Sequence, residues 1–422
     1  MHSVESTDQQ RVAIIGAGIS GLVTAYLLIQ RHDITLFESR TRIGGHTNTI
    51  QVPTDQGTLP VDTGFIVYNE HNYPLFTELL SQLKVQTQPS DMSFSVQCER
   101  TGLEYNGSSL NQLFARRRNL VSPAHWKMIK DILRFNKHAE LLHDRGRSTT
   151  VQDYVQEHGF SEAFLTNYLI PIGASLWSCP SGTFRNFPIR FVIDFLRNHG
   201  MLQGKGRPEW RVVKGGSSSY IDPLTEPFAD RIVTGSKIER VDRHGDRVEI
   251  HFEGSESRAF DHVVFACHSD QALSLIQEPT PTEHEILSAF PYQSNRTILH
   301  TDTRVLPKRK RAWGSWNYHI RRDNPDAVAI TYLMNKLQSI ESETQYCVTL
   351  NEHDRIHPDK IIKDLTYHHP IFTQERDQAQ SRHHELIGPN RTSFCGAYWG
   401  YGFHEDGVRS GVRVAEHFGC TL

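Results

Sequence analysis

Three glycines and one acid carry the chemistry this sequence offers most plainly. Gly16, Gly18 and Gly21 complete a GxGxxG pattern, and Glu38 follows about 20 residues beyond. In such a pattern the first glycine permits a tight turn and the second lets a pyrophosphate approach the backbone. The third lets a helix pack closely on a strand. The free N–H groups and positive dipole end of that helix, with Ser20 in its first turn, face phosphate oxygens. A carboxylate at Glu38 accepts hydrogen bonds from adenosine ribose hydroxyls and repels a 2′-phosphate. The chemistry implied is the grip of an adenine dinucleotide.

The elements needed to position these groups are legible around them. Val12–Ile15 is a short apolar run of the buried parallel-strand kind, and Leu22–Gln30 continues at helical spacing. Arg31–Asp33 makes a turn, and Ile34–Phe37 is a second strand ending on Glu38. The stretch VAIIGAGISGLVTAYLLI could cross a bilayer on length alone, but a strand–turn–helix accounts for each of its glycines. After Glu38 come Ser39 and Arg40, then Gly44, Gly45, His46 and Thr47, then a strand-like Thr49–Val52. A simple nicotinamide-binding unit would place a crossover helix there. Two adjacent glycines suit backbone that passes very close to a ligand. The run VDTGF follows, with Thr63, Gly64 and Phe65.

GAGISGL, then ESR with RIGGHT, then DTGF, taken in that order, resemble the flavin amine oxidase superfamily, which includes protoporphyrinogen oxidases and carotenoid desaturases. The resemblance implies FAD, bound non-covalently, with these motifs along it and DTGF beside the isoalloxazine ring. Residues 394–415, FCGAYWGYGFHEDGVRSGVRVA, resemble the family's closing strand, glycine-rich loop and last helix. On that likeness Gly396 also lies in the flavin segment, and His404, Glu405, Asp406, Gly407 and Val408 lie under the flavin pyrimidine. Helix amides there stabilise negative charge on reduced flavin. The central block VVKGGSSSYIDPL with Ile232 to Val241 also resembles the family, and in relatives the position of Ile238 meets the adenine end through its backbone. Tyr398, Tyr401 and Phe403 fall where relatives frame the flavin with aromatic rings. Phe403 at the matching place weakens an amine assignment. In some relatives a lysine from a substrate-domain strand holds a water against flavin, and the resemblance offers Lys336 as its counterpart; a surface lysine at a strand end is the simpler explanation.

The fold class implied is α/β: a Rossmann-like FAD-binding domain of glutathione reductase type, interwoven with an α+β substrate domain. The FAD domain is expected from 1–75, 205–275 and 390–422, and the substrate domain from 76–204 and 276–389. A helical cap is expected near 105–200, strands near 295–350, and a strand character for Ile330–Gln338.

No second strand–GxGxxG–helix is present; Gly204-Lys-Gly206 lacks the third glycine. Two electrons therefore come from an organic substrate and leave to dioxygen, a quinone or another acceptor. GGHTNT, DTGFIVYN, SWNY, YLMNKLQ and GFHEDG resemble most closely a bacterial subgroup of predicted NAD/FAD-binding proteins associated with cyclopropane-type fatty acid modification. This implies a lipid chain that is dehydrogenated or desaturated. Oxidation of C–N bonds, with peroxide release, is the alternative.

Composition limits the partners. A formal charge of −3 gives no reason to expect nucleic acid. Six scattered cysteines without CxxC fit reduced cytosolic thiols, and no histidine spacing calls for a metal. The polar start MHSVESTDQQ lacks the pattern of a secretory signal, so the expected location is cytoplasmic. The basic clusters Arg116–Arg118 and Lys308–Arg311 are of a kind that meets anionic lipid headgroups, about 1 kcal/mol per residue, at the inner membrane face. Solvated basic loops account for the same residues. Oligomeric state is not legible.

Overall fold

A computed structural model of the chain describes residues 9–55, 57–141, 149–202, 206 and 208–422. The first eight residues and Gly204 of the rejected glycine pair lie outside the described residues.

Arg11–Ile15 is the central strand of a five-stranded parallel sheet, in the order Ile232–Val233, Asp33–Phe37, Arg11–Ile15, His262–Phe265, Thr392–Phe394. Strands covered on both faces read as continuous apolar runs, and Val12 to Ile14 are fully buried. The beginning, middle and end of the chain thus meet in one sheet. The first helix, Ile19–Leu28, is buried on nearly every side. It lies between that sheet and the last helix, His404–His417. A Cβ on Gly407 would stand 2.7 Å from Ile19 Cγ2, and one on Gly411 would stand 2.7 Å from the Ser20 carbonyl. Gly411 lets the helix backbones approach, and Gly407, one turn earlier, makes room for the Ile19 side chain. Among the described residues no helix is long and apolar enough to cross a membrane.

The second layer is a seven-stranded sheet ordered Ile361–Pro370, Tyr292–His300, Cys347–Leu350, Ile330–Leu333, Trp316–Ile320, Phe94–Cys98, Leu103–Asn106. All neighbours are antiparallel except Trp316–Ile320 with Phe94–Cys98. The sheet extends beyond the expected 295–350 on both sides. Helices Pro123–Leu141, Val151–Glu157, Ile170–Trp177 and Ile189–Asn198 form the cap, packed with Phe135, Phe164, Trp177, Phe184 and Phe195. Gly173 is required there, since a Cβ would enter the Phe184 ring.

One expected strand ends early. Ile330–Leu333 is extended, but Met334–Leu337 turns into a short helix. Asn335 drives the change: its Oδ1 accepts the Tyr346 N–H at 2.7 Å and its Nδ2 donates to the Thr344 carbonyl at 2.9 Å. A side chain thereby takes the place of the next ladder bond.

Candidate active site

A single cavity of about 800 Å³ runs from the carboxyl ends of the parallel strands to the face of the seven-stranded sheet. Its first half is built from the glycine loops. Gly16 has φ +111°, and its N–H donates to the Phe37 carbonyl at 2.8 Å. A Cβ on Gly21 would stand 1.9 Å from the Gly16 carbonyl, so the turn and helix can meet only at a glycine. Gly18 differs: a Cβ there meets nothing within 4 Å, because it points into the cavity.

Gly44 and Gly45 have φ of +106° and +58°. The Gly44 N–H donates to the Ala17 carbonyl at 2.7 Å, and a Cβ on Gly45 would stand 3.0 Å from Gly18 Cα. The double glycine therefore packs directly on the first glycine loop while lining the cavity. Ligand approach is only half the reason for its composition. Arg42, itself a lining residue, secures the loop by donating to the carbonyls of Gly45 at 2.8 Å and Thr47 at 3.3 Å.

Glu38 sits beside Gly16 and Gly18. One carboxylate oxygen accepts the Ala17 N–H at 3.0 Å; the other accepts the Arg40 N–H at 2.9 Å and the Ser39 hydroxyl at 3.2 Å. A carboxylate has about four acceptor sites. Three are used by the loop, which leaves capacity for a ribose hydroxyl. Ser20, Ser39, Arg40 and Ile238 line the same end.

Farther along, Thr63, Gly64, Phe65 and His46 line the wall. Gly64 is fixed by the His46 carbonyl, 2.1 Å from where its Cβ would be. The His46 Nε2 is buried without a partner, and the residue helps to line the cavity. His268 and His369 stand near it, with ring centroids 6.3 and 5.5 Å away. Burial holds His46 well below the usual imidazole range and lowers His268 and His369 to about 4, so this histidine group is uncharged at neutral pH. Open space before Gly18, spare acceptor capacity on Glu38 and an unpartnered buried imidazole fit a dinucleotide with polar groups along its length.

The last helix meets the cavity through one residue. His404 lines it, stacked on Phe65 at 3.7 Å. Burial lowers His404 to about 3, and its Nε2 pairs with the Tyr220 hydroxyl at 2.8 Å. That hydroxyl also meets Thr47 Oγ1 at 2.5 Å, which gives Thr47 a supporting place behind the wall. Glu405 turns away and accepts the N–H groups of Leu75 and Phe76, at the start of helix Pro74–Gln82. Asp406 accepts the Phe403 N–H at 3.0 Å and so caps its own helix. Gly407 and Val408 are buried against the first helix and its neighbours.

The aromatic loop is split. Gly396, Tyr398 and Phe403 line the cavity, whereas Tyr401 packs on Phe191 and Phe195 outside the lining. Lys336 is not among the lining residues: it is a third exposed and lies 3.5 Å from Asp91.

Four supports carried no readable sequence signal or only half of one. Asp62, inside the DTGF run, is buried and accepts Thr49 Oγ1 at 2.6 Å, the Ser217 N–H at 2.8 Å and Gln338 Nε2 at 3.1 Å. Burial pushes it up to about 6 despite those donors. Arg376, fully buried, donates to the Gly400 carbonyl at 2.8 Å, and Gln380 holds the Tyr398 carbonyl at 2.7 Å. Burial lowers the Arg376 guanidinium to about 9. Tyr367 bonds both Thr63 and Asn48.

The second half of the cavity is mainly apolar, with neutral polar groups such as Ser175, Ser178 and Thr297 among its lining. Met92, Phe94, Leu176, Phe195, Trp210 and Trp316 contribute to it. Among the described lining residues the Lys, Arg, Asp and Glu side chains are Glu38, Arg40, Arg42 and Lys237, all at the glycine-loop end. Glu38→Ala should weaken dinucleotide binding by about 1.5–3 kcal/mol, tenfold or more in Kd, on loss of a charge-assisted bond. Flavin titration into apoprotein measures it; an unchanged Kd would contradict this placement.

The sequence model of the family described as flavin containing amine oxidoreductase matches residues 19–417. Protoporphyrinogen oxidase 2, chloroplastic/mitochondrial, of Arabidopsis thaliana is 42% identical over 50 residues, a segment covering 12% of this chain and 10% of that relative. The chain is similar in fold to a CLA-producing fatty acid isomerase from P. acnes, with TM-score 0.68 and 16% identity over 99% of this chain and 100% of that one. It is similarly close to cyclohexylamine oxidase from Brevibacterium oxydans IH-35A, with TM-score 0.69 and 16% identity over 97% and 98% of the two chains.

Proposed function

Because the chain belongs to the flavin containing amine oxidoreductase family, it is an FAD-dependent oxidoreductase, and we propose that it removes two electrons from an apolar, fatty-acyl-type lipid chain. One observation carries the reading: beyond the glycine-loop end, the described cavity lining holds no charged side chain of either sign. A cationic amine buried there would lack a counter-ion, and leaving such a charge unpaired is costly. An alkyl chain needs none. The fold does not choose between the two, since it is shared by an isomerase of fatty acids and an oxidase of cyclohexylamine. The isomerase supports the reading only as a protein of this fold whose substrate is a fatty acid.

FAD, held non-covalently, supplies the two-electron chemistry when bound. The glycine loops and Glu38 would hold its nucleotide half, and the unpartnered His46 would lie farther along it. The remaining lining orients the substrate and excludes water. Phe195 and Phe403 stack with centroids 5.2 Å apart, and Trp316 stands edge-on to Tyr332 at 4.9 Å. These rigid walls, with the adaptable Met92 and Met201, suit a long flexible chain. Burial lowers His199 to about 4, and its Nδ1 meets the Phe195 carbonyl at 2.9 Å. With His404 also neutral, the imidazoles near the apolar half carry no charge at pH 7.

Anaerobic mixing of the yellow holoprotein with long-chain fatty acyl substrates, including one bearing a cyclopropane ring, should bleach the flavin absorbance. Cyclohexylamine and putrescine should leave it unchanged. Bleaching by those amines, with peroxide formed in air, would overturn the lipid reading in favour of C–N oxidation.

A further inference from the structure

Five of the six large apolar side chains that the described chain leaves exposed fall within 24 residues: Leu110 (77%), Leu120 (48%), Val121 (79%), Trp126 (49%) and Leu133 (66%). Such clustering on a soluble surface marks an interaction site. The helix Pro123–Leu141 buries His125, Met128, Phe135 and Ala139. Its opposite stripe is Trp126, Lys130, Leu133 and Lys137, spaced four, three and four apart and all exposed. The Trp126 indole N–H donates to the Leu120 carbonyl at 2.8 Å, and its ring packs on Phe114 at 5.1 Å. The tryptophan is therefore held at the surface rather than folded under it.

Charge follows the same face. Residues 108–137 contain seven lysines and arginines against a single acid, Asp131, in a chain whose net charge is −3. Asp131 is buried, accepts the Ser161 N–H and pairs with Arg134 at 3.3 Å, so it offsets one of the seven cations and leaves the other six. Exposed Lys308–Arg311 leads into the turn Lys310–Ala312, which packs against helix Leu110–Leu113 and adds to the same basic rim.

We propose that this face docks the protein on an anionic bilayer surface. Apolar anchors interleaved with lysine and arginine, and a tryptophan at the level of the cations, match what an interfacial element presents to headgroups and acyl chains. Charge alone would serve a nucleic acid equally, but Leu110, Val121 and Leu133 have no role there. A second copy of the chain would bring two basic faces together. The proposal is independent of what occupies the cavity.

The test is co-sedimentation of the holoprotein with vesicles of phosphatidylglycerol and phosphatidylcholine in equal parts, and with vesicles of phosphatidylcholine alone. Binding is expected to the first only, falling steeply with added salt. Each basic residue removed should weaken it roughly fivefold, so R118Q/K127Q/K130Q should lose on the order of a hundredfold. L120S/V121S should weaken binding while leaving the flavin spectrum unchanged, which verifies the fold. Failure to bind anionic vesicles at low salt would overturn the proposal, as would equal binding to both. Dimerisation of the free protein that L120S/V121S abolishes would also overturn it, as would binding to heparin but not to vesicles.

Discussion

A Gly18→Val protein is expected to purify folded and colourless. The Cα of Gly18 has φ −77° and ψ 178°, an extended geometry that valine adopts readily at a helix N-cap. A Cβ there meets no protein atom within 4 Å. The substitution therefore leaves the chain undisturbed and fills the space through which the pyrophosphate must approach the helix amides. Far-ultraviolet circular dichroism and melting of the apoprotein should match those of wild-type apoprotein, while bound flavin is lost. Gly21→Ala is the contrasting case. Its Cβ would stand 1.9 Å from the Gly16 carbonyl, an approach that backbone cannot relieve, and insoluble protein is expected. A Gly18→Val preparation that retains stoichiometric FAD would refute the placement of the dinucleotide.

The second large effect is loss of stability in mild acid. Burial lowers His262 and His404 to about 3, and His300 and His383 to about 4, against an ordinary value near 6.5. For each, the unfolded chain binds more protons than the native one as pH falls below about 6.5. Their neutral burial is therefore progressively opposed between pH 6.5 and the folded values. Asp62 and Asp406 act in the other direction: both are raised to about 6, so the native state binds the extra proton between their ordinary value and pH 6. Among these six groups the four imidazoles outweigh the two carboxyls by about two protons, a loss of up to about 3 kcal/mol per pH unit between pH 6 and 4. His199, His268 and His369, lowered to about 4 as well, add to it. Thermal melting of the holoprotein across pH 7 to 4 should show Tm falling steeply below pH 6. A level Tm down to pH 5 would contradict the neutral burial of these residues.

What could be read from the sequence was local. The glycines of the first loop, the acid at Glu38 and the parallel-strand runs announce themselves because turn geometry and two-sided burial act over a few residues. Gly44 and Gly45 were legible as a place where backbone comes close to something, but not that Gly18 is half of that something. Long-range pairing left no such trace. Nothing in Phe94–Cys98 announces a parallel partner in Trp316–Ile320, and nothing in Gln338 announces Asp62. The Ile330–Gln338 run read as one strand because its apolar residues suit either state, and the Asn335 side chain decides the outcome through residues 344 and 346. His46, His268 and His369 converge from three distant segments, so their grouping is a product of topology alone.

The five-stranded sheet takes its edge strand from Thr392–Phe394, and the first helix is covered by residues beyond 403. Until residues beyond 403 are in place, the glycine loop lacks the helix that closes its layer. A nascent chain that has emerged only through its amino-terminal half displays bare apolar surface of the sort that chaperones shield, and FAD capture is expected only once that helix has been made.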